Sequence, residues 1–109
     1  MEVKTPKEFF DNVLPSKFNP EKAKDFEAVT QVDLSGTNGG SWIITVKDQK
    51  LQTQEGKATS PDITLKMADK DFVDLVNGKL SAVTAFMNGK LGFKGNMSKG
   101  LKLLDMSFT

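Results

Sequence analysis

The sequence predicts a single α+β domain, residues 1–109, built from about five strands and about five helices. Three observations predict it. The length of 109 residues suits one core, burying roughly 60–70% of the unfolded surface. Segments 28–34, 41–47 and 63–67 alternate apolar and polar residues with the period of a strand. Cap-like residues at Thr5, Asn19, Asp69, Ser81 and Asn96 each precede a helical start. The order is two helices, four strands, two helices, one strand and a final helix.

Thr5-Pro6-Lys7-Glu8 opens the first helix: Thr5 caps, proline suits the first helical position, and Glu8 can reach back to the Thr5 amide. Phe9, Phe10, Val13 and Leu14 form its apolar face. Pro15 is expected to end it by disfavouring the helical conformation at Leu14. Asn19-Pro20-Glu21 repeats the signal and predicts a short helix over 20–25. In 28–34, Ala28, Val32 and Leu34 share a face against Gln31 and Asp33. In 41–47, Trp42, Ile44 and Val46 alternate with Ile43, Thr45 and Lys47, and Ile43 implies that the far face is partly covered. Asp48-Gln49 is a tight turn into 50–55, whose one large apolar residue, Leu51, predicts a place near an edge. Ile63, Leu65 and Met67 alternate with Thr64 and Lys66. Asp69 is expected to cap a helix with Phe72, Val73, Leu75 and Val76 on one arc. Ser81 caps another carrying Val83, Phe86 and Met87. Leu91 and Phe93 alternate in a last strand, and Asn96 caps a helix running to about Ser107.

The tetrapeptide Asn-Gly-Lys-Leu occurs at 77–80 and at 88–91. Asn-Gly in isolation favours a hairpin turn, but both copies follow helical patterns. They read as two helix stops. Gly78 and Gly89 take the left-handed conformation beyond each helix end, and Lys79 and Lys90 complement the negative end of the helix dipole. The flanking residues show no further self-similarity, so this is one stop signal used twice rather than a solenoid repeat.

Composition closes several routes to function. The chain has no Cys, His, Tyr or Arg, and all fifteen basic residues are Lys. Disulfides and thiolate chemistry are excluded, and the commonest general base and metal ligand are missing. Net charge is +1 with the signs mixed along the chain, a poor footprint for nucleic acid. No apolar run is long enough to span a bilayer, and residues 1–20 lack the apolar stretch of a secretory signal. A cytoplasmic protein is expected. Asp69, Asp71 and Asp74 cluster, but their spacing serves a helix start and a solvated face. No catalytic residue, metal or cofactor is expected, apart from a bound lipid, and no enzyme activity.

Several pieces of the chain, taken in order, resemble the sterol carrier protein 2 domain. They are Asp69 to Phe72, Gly78-Lys79-Leu80, the run Ala85-Phe86-Met87-Asn88-Gly89-Lys90-Leu91, and Lys94-Gly95-Asn96 followed by Leu101-Lys102-Leu103. Upstream, two helices and then Trp42 in a strand before a tight turn fit as well. The resemblance runs from about 5 to 108 and is densest from Asp62 onward. It implies a five-stranded mixed sheet covered on one face by helices, with an apolar tunnel between sheet and helices for a lipid. Members of that family bind sterols, fatty acids, fatty acyl-CoA or phospholipids, and several are peroxisomal. Ser107-Phe108-Thr109 does not match the peroxisomal tripeptide. Some family sequences use Arg near the ligand's polar end. Here that contact falls to Lys, a backbone amide or an amide side chain.

The candidate lipid wall is Trp42, Ile44, Ile63, Leu65, Phe72, Val76, Val83, Phe86, Met87, Leu101, Leu104 and Phe108. Each also suits an ordinary core, and the sequence leaves both roles open. Met67, Met87, Met97 and Met106 are adaptable fillers that fit either use. On the last helix, Met97, Leu101, Leu104 and Phe108 form one stripe, while Leu103 and Met106 lie opposite with Lys99 and Lys102. One stripe packs on the domain and the other is left for a ligand, a membrane or a partner. Gly100 either weakens this helix so that it lifts as a lid or admits a close backbone contact. Lys99 and Lys102 are candidates for headgroup or membrane contact. The expected function is therefore lipid binding and transfer by a monomer, gated by the last helix and with transient membrane contact. The competing reading is an accessory module that presents lipid to a partner enzyme.

Overall fold

The computed structural model describes residues 2–107, with the backbone alone at 101 and 104–107. Five strands form one sheet: β1 (Ala28–Ser35), β2 (Gly40–Lys47), β3 (Lys50–Glu55), β4 (Ile63–Ala68) and β5 (Leu91–Gly95). Their order is β3-β2-β1-β4-β5, with β1 and β4 parallel and the other neighbours antiparallel. The sheet is therefore mixed, and β3 is an edge strand as its composition requires.

Register places Val32 opposite Trp42 and Leu65, and Leu65 opposite Phe93. The apolar alternates of the strands thus share the helix-bearing face, where Ala28, Val32, Trp42, Ile44, Val46, Ile63 and Leu65 are buried. Ile43, on the other face, is also buried, as its sequence position implied. Segment 56–62 covers it while carrying the chain from the β3 edge across to β4. Gln31 pins that crossing. Its Nε2 donates to the Gly56 carbonyl at 3.0 Å, and its Oε1 accepts from the Ala58 amide at 2.6 Å. Asp48 (φ 53°) and Gln49 (φ 61°) make the β2–β3 turn, the left-handed pair that matches strand twist.

Pro6–Glu8, Phe9–Val13 and Leu14–Lys17 run on as one helix, α1. Thr5 caps it, its hydroxyl accepting from the Glu8 amide at 3.3 Å. Pro15 does not end it. Leu14 keeps helical angles (φ −56°, ψ −45°), and its N–H donates five residues back to Phe9. In a regular α-helix the proline ring would meet the carbonyl four residues earlier. The wider winding over Phe9–Val13 spreads those carbonyls and lets the helix pass through. The short helix expected over 20–25 is instead a chain of turns, with hydrogen bonds three residues back from Lys22, Ala23 and Lys24. Six residues are too few to propagate a helix unaided. Only Ala23 and, just beyond, Phe26 find core contacts that would hold the segment.

Three further helices follow: α2 (Asp69–Val76), α3 (Ala82–Met87) and α4 (Met97–Ser107). Helices thus number four rather than about five. Ser81 and Asn96 cap α3 and α4, accepting from the Thr84 and Lys99 amides. Asp69 is not the cap of α2. Ala68 holds that position, and Asp69 is the first helical residue. Its carboxylate accepts from the Lys70 amide at 2.8 Å and the Asn38 amide at 2.9 Å, tying the β1–β2 loop to the helix start.

Both Asn-Gly-Lys-Leu copies stop a helix. Gly78 (φ 78°) and Gly89 (φ 76°) are left-handed. Lys79 N–H donates to Asp74 C=O and Lys90 N–H to Ala85 C=O, each at 2.8 Å, while Gly78 and Gly89 donate to Leu75 and Phe86. This is the paired hydrogen bonding of a Schellman stop. The first copy has a second task. The Asn77 amide bonds the Val3 backbone reciprocally, both at 2.8 Å, and Lys79 pairs with Glu2. Asn77 and Lys79 therefore clasp the N-terminal segment to the end of α2.

Candidate functional site: an apolar groove between the last strand and two helices

Six of the predicted lipid-wall residues, Trp42, Ile44, Ile63, Leu65, Phe72 and Val76, are buried in the core. At that end, rings fill the space between sheet and helices. Phe10 stacks on Trp42 (4.8 Å between centroids, 18°) and on Phe72 (5.3 Å, 16°), and Phe9 meets Phe10 and Phe72 edge-on at 5.6 Å. Two polar atoms sit unpaired among these apolar neighbours. Thr30 Oγ1 and Trp42 Nε1 are buried without a hydrogen-bond partner.

An apolar opening lies at the other end of the layer, between α3, β5 and α4. Ala82, Val83, Phe86, Leu91, Phe93, Met97 and Gly100 line a groove of about 190 Å³. Its geometry follows from the local sequence. Two residues of α3 face inward, Ala85 fully and Ala82 partly buried, so the helix lies low on the sheet edge. The large side chains of α3 turn outward: Val83 is 63% exposed, Phe86 48% and Met87 77%. From α4, Met97 adds a fourth large apolar side chain, 47% exposed. A second, wider depression of about 770 Å³ adjoins the groove through Ala82 and Val83 and runs past Leu75, Val76 and Leu80 to Lys17.

Gly100 explains how α4 sits. A Cβ built there would fall 2.4 Å from Phe93 Cε2 and 2.5 Å from Cζ, so the bare backbone admits the phenyl ring beneath the helix. Of the two roles open to Gly100, the close contact is the one observed. Leu103 is fully buried. Among the described residues of α4, Gly100 and Leu103 are buried, and Met97 lies on the groove side. Lys102 is exposed and Lys99 half-buried. The side chains of Leu101 and Leu104, and Phe108 altogether, lie outside the described residues.

The structure thus brings Val83 and Phe86 to the groove and leaves Met87 on the adjoining surface. Sequence reasoning missed Ala82, Leu91, Phe93 and Gly100 as groove residues and offered Met97 only as an adaptable filler on the last helix. The available signal was Phe93 on a strand followed, seven residues on, by a glycine inside a helix. Charged groups with shifted acidity lie on the surface outside the groove lining. Lys79 holds the Glu2 carboxyl below its ordinary range, and Glu2 holds the Lys79 ammonium above its own. Glu55 and then Asp11 raise Lys7, each at 3.2 Å. Among the described residues no group of three or more carboxylates gathers as a metal site. No helix among them is long and apolar enough to cross a membrane.

A mixed five-stranded sheet, helices on one face and an apolar recess at the sheet edge define the class as a small α+β domain with an open apolar groove. The sequence profile of the SCP-2 sterol transfer family matches residues 8–106, and the chain belongs to that family. It is 35% identical over 92 residues to hydroxysteroid dehydrogenase-like protein 2 of Rattus norvegicus, covering 84% of this chain and 18% of that protein. It is 33% identical over 92 residues to the Homo sapiens protein of the same name, covering 22% of it. The chain therefore spans about a fifth of the length of these relatives. Among solved structures, sterol carrier protein 2 from Yarrowia lipolytica superposes with a TM-score of 0.66 at 27% identity, covering 94% of this chain and 86% of that one. Palmitated SCP2L2 from Aedes aegypti gives 0.70 at 22%, covering 96% and 93%. A sec-alkylsulfatase from Pseudomonas sp. gives 0.84 at 20%, covering 97% of this chain and 17% of the enzyme. At these last two identities the likeness is one of fold.

Proposed function

We propose that this chain is a non-enzymatic lipid-binding domain that takes hydrocarbon into the groove between α3, β5 and α4, and that α4 moves to admit it. Family membership supports lipid binding or transfer in general. The observation that carries the specific reading is the groove itself, an apolar recess lined by three large apolar side chains left in solvent, Val83, Phe86 and Met97, with Met87 on the adjoining surface.

Magnitudes argue for more room than the groove itself offers. The groove of about 190 Å³ has room for about six methylene-sized units, at ~30 Å³ apiece. Burying about six methylenes gives about 5 kcal/mol, against an association cost of about 4–15 kcal/mol. The groove as it stands therefore holds a chain weakly or not at all. Burying about fifteen methylenes gives about 12 kcal/mol, enough for binding that still permits release. The adjoining depression offers further length along the surface, and opening the Phe93–Gly100 contact would deepen the groove beneath α4.

The test is displacement of a fluorescent fatty acid, with native mass spectrometry of the purified chain. The expected result is saturable binding that weakens in Phe86→Asp while the fold is retained. A chain that carries no lipid and takes up no probe refutes the proposal. The second reading, presentation of lipid to a partner enzyme, is favoured by one observation: the chain matches only about a fifth of relatives named as dehydrogenase-like. The domain would then work tethered. Its test is whether lipid turnover by such an enzyme rises when the two are joined.

A further inference from the structure

We propose that Asn88-Gly89 is a site of spontaneous deamidation and isoaspartate formation, and that the clasp on the N-terminal segment spares the matching Asn77-Gly78. The twin Asn-Gly-Lys-Leu stops form an internal control. Asn77 and Asn88 share one backbone shape, φ −87° and ψ 0° against φ −90° and ψ 5°. Gly78 and Gly89 each donate three residues back at 3.2 Å, and Lys79 and Lys90 each donate five residues back at 2.8 Å. The side chains differ. Asn77 Nδ2 donates to the Val3 carbonyl and Asn77 Oδ1 accepts from the Val3 amide, both at 2.8 Å. The Asn88 side chain is exposed and makes no hydrogen bond among the described residues. A Cβ built on Gly89 would meet nothing within 4 Å, so the second stop has open space around it. The third Asn-Gly pair is held differently. Asp69 accepts from the Asn38 amide at 2.9 Å, and Gly39 is packed so closely that a Cβ there would fall on the Leu34 carbonyl.

The chemistry needs only water. The Gly89 nitrogen gives its proton to solvent and attacks Asn88 Cγ. The N–Cγ bond forms, the Cγ–Nδ2 bond breaks, and the side-chain nitrogen takes up a proton and leaves as ammonia. Water then opens the five-membered imide at either carbonyl. One opening leaves an aspartate at position 88, and the other leaves an isoaspartate whose main chain runs through Cβ and Cγ. In sum, one amide and one water become one carboxylic acid and one ammonia. Glycine suits the second position because it has no Cβ to shield the attacking nitrogen. Ring closure also requires rotation about the Asn Cα–C bond away from ψ near 0°, so the stop must first open. Such opening is local, and its frequency depends on what holds the turn. Helix α3 has six residues with Ala85 alone fully inside, whereas α2 has eight and buries Phe72, Leu75 and Val76. The first stop is held further by the Asn77 bonds and by the pairing of Lys79 with Glu2. Two hydrogen bonds of ordinary net strength suppress an opening by about tenfold to hundredfold. Either product sets a carboxylate at the negative end of the α3 dipole. Isoaspartate also lengthens the main chain between Phe86 and Leu91, which both line the groove. Conversion of Asn88 therefore loosens that wall. This consequence rests on the lipid-carrier reading, whereas the modification itself does not.

The experiment is to age the folded 109-residue chain in mildly alkaline buffer and follow each asparagine by peptide mapping, with electron-transfer fragmentation to tell isoaspartate from aspartate. Trypsin places Asn77 in 71–79 and Asn88 in 80–90, so the two copies are read separately. Asn88 should convert at least about tenfold faster than Asn77 or Asn38. Val3→Pro removes the N–H that Asn77 Oδ1 accepts, and in a chain still folded by circular dichroism it should bring Asn77 towards the Asn88 rate. If that variant does not fold, hydrogen exchange on the parent decides the same point, because the Gly89 amide should exchange at least about tenfold faster than the Gly78 amide. An Asn88 that stays intact overturns the proposal. So does equal conversion of Asn77 and Asn88, a folded Val3→Pro chain whose Asn77 is as slow as in the parent, or equal exchange at the two glycines. Uptake of a fluorescent fatty acid is measured on fresh and aged chains. It should fall with the isoaspartate content of the parent and hold in an aged Asn88→Gln variant, and unchanged uptake in the converted chain overturns the link to the groove. A fresh chain that takes up no probe removes the carrier reading and leaves the modification site standing.

Discussion

Gly100→Ala separates two physical accounts of the last helix by the sign of its effect. If the glycine serves only to weaken α4, alanine stabilises the helix by up to about 1 kcal/mol through propensity. The structure gives the opposite sign. The added methyl would stand 2.4 Å from the Phe93 ring, well inside contact distance, so the ring must turn or α4 must lift. Overpacking of this kind costs about 1–3 kcal/mol. Set against the propensity gain, the net expectation is a loss of about 0–2 kcal/mol, or up to roughly 10 °C in Tm for a domain this size. Removing the ring should reverse the sign. In a Phe93→Ala background, Gly100→Ala should gain about 1 kcal/mol, giving a coupling of about 1–3 kcal/mol across the cycle. Calorimetry and urea titration of the four proteins measure it. A stabilising Gly100→Ala in the parent chain, or additivity across the cycle, refutes the account. The same four proteins report on gating. If hydrocarbon enters by parting Phe93 from Gly100, Gly100→Ala should speed fatty-acid uptake in stopped flow.

Four further outcomes follow from particular contacts. Asp69→Ala removes the buried carboxylate that accepts from the part-buried Asn38 and Lys70 amides and should cost about 1 kcal/mol in urea unfolding, with Asp69→Asn recovering part of it. Gln31→Ala frees the 56–58 crossing, and the Ala58 amide should lose its protection in hydrogen exchange while β4 keeps its own. Phe86→Ala removes a half-exposed ring, so it should leave stability within about 0.5 kcal/mol yet weaken fatty-acid binding by roughly fivefold to tenfold. The Glu2–Lys79 pair sets a pH signature. Glu2 has a lowered folded pKa, so its contribution is present above the ordinary glutamate pKa and is lost as pH falls through the lowered one. Lys79 has a raised pKa, so its contribution is present below the ordinary lysine pKa and is lost as pH rises through the raised one. Glu2→Gln should therefore flatten both limbs of the urea-midpoint profile, since most of Lys79's contribution depends on Glu2 and goes with it.

The strands were legible because each buries one face, and a period of two shows directly in residues such as Ile63, Leu65 and Met67. The two Asn-Gly-Lys-Leu stops were legible because a left-handed residue beyond a helix demands glycine. The run through Pro15 was not legible. A wider helical turn leaves no residue signature, and the proline alone argues for a stop. Nor was the division of the apolar set into core and groove. Trp42 and Phe86 are both large aromatics at periodic positions, and nothing local says that one stacks under Phe10 while the other faces solvent.

By itself, the sequence settled the class and order of most elements, the caps at Thr5, Ser81 and Asn96, and the chemistry that Cys- and His-free composition forbids. These follow from backbone preferences and side-chain inventories, which act over a few residues. The tertiary structure decided which apolar residues have neighbours. The inward alanine of α3, the ring beneath Gly100 and the apolar face left in solvent each depend on the distance between elements far apart in sequence. That distance is fixed only when the sheet register and the helix packing are satisfied together.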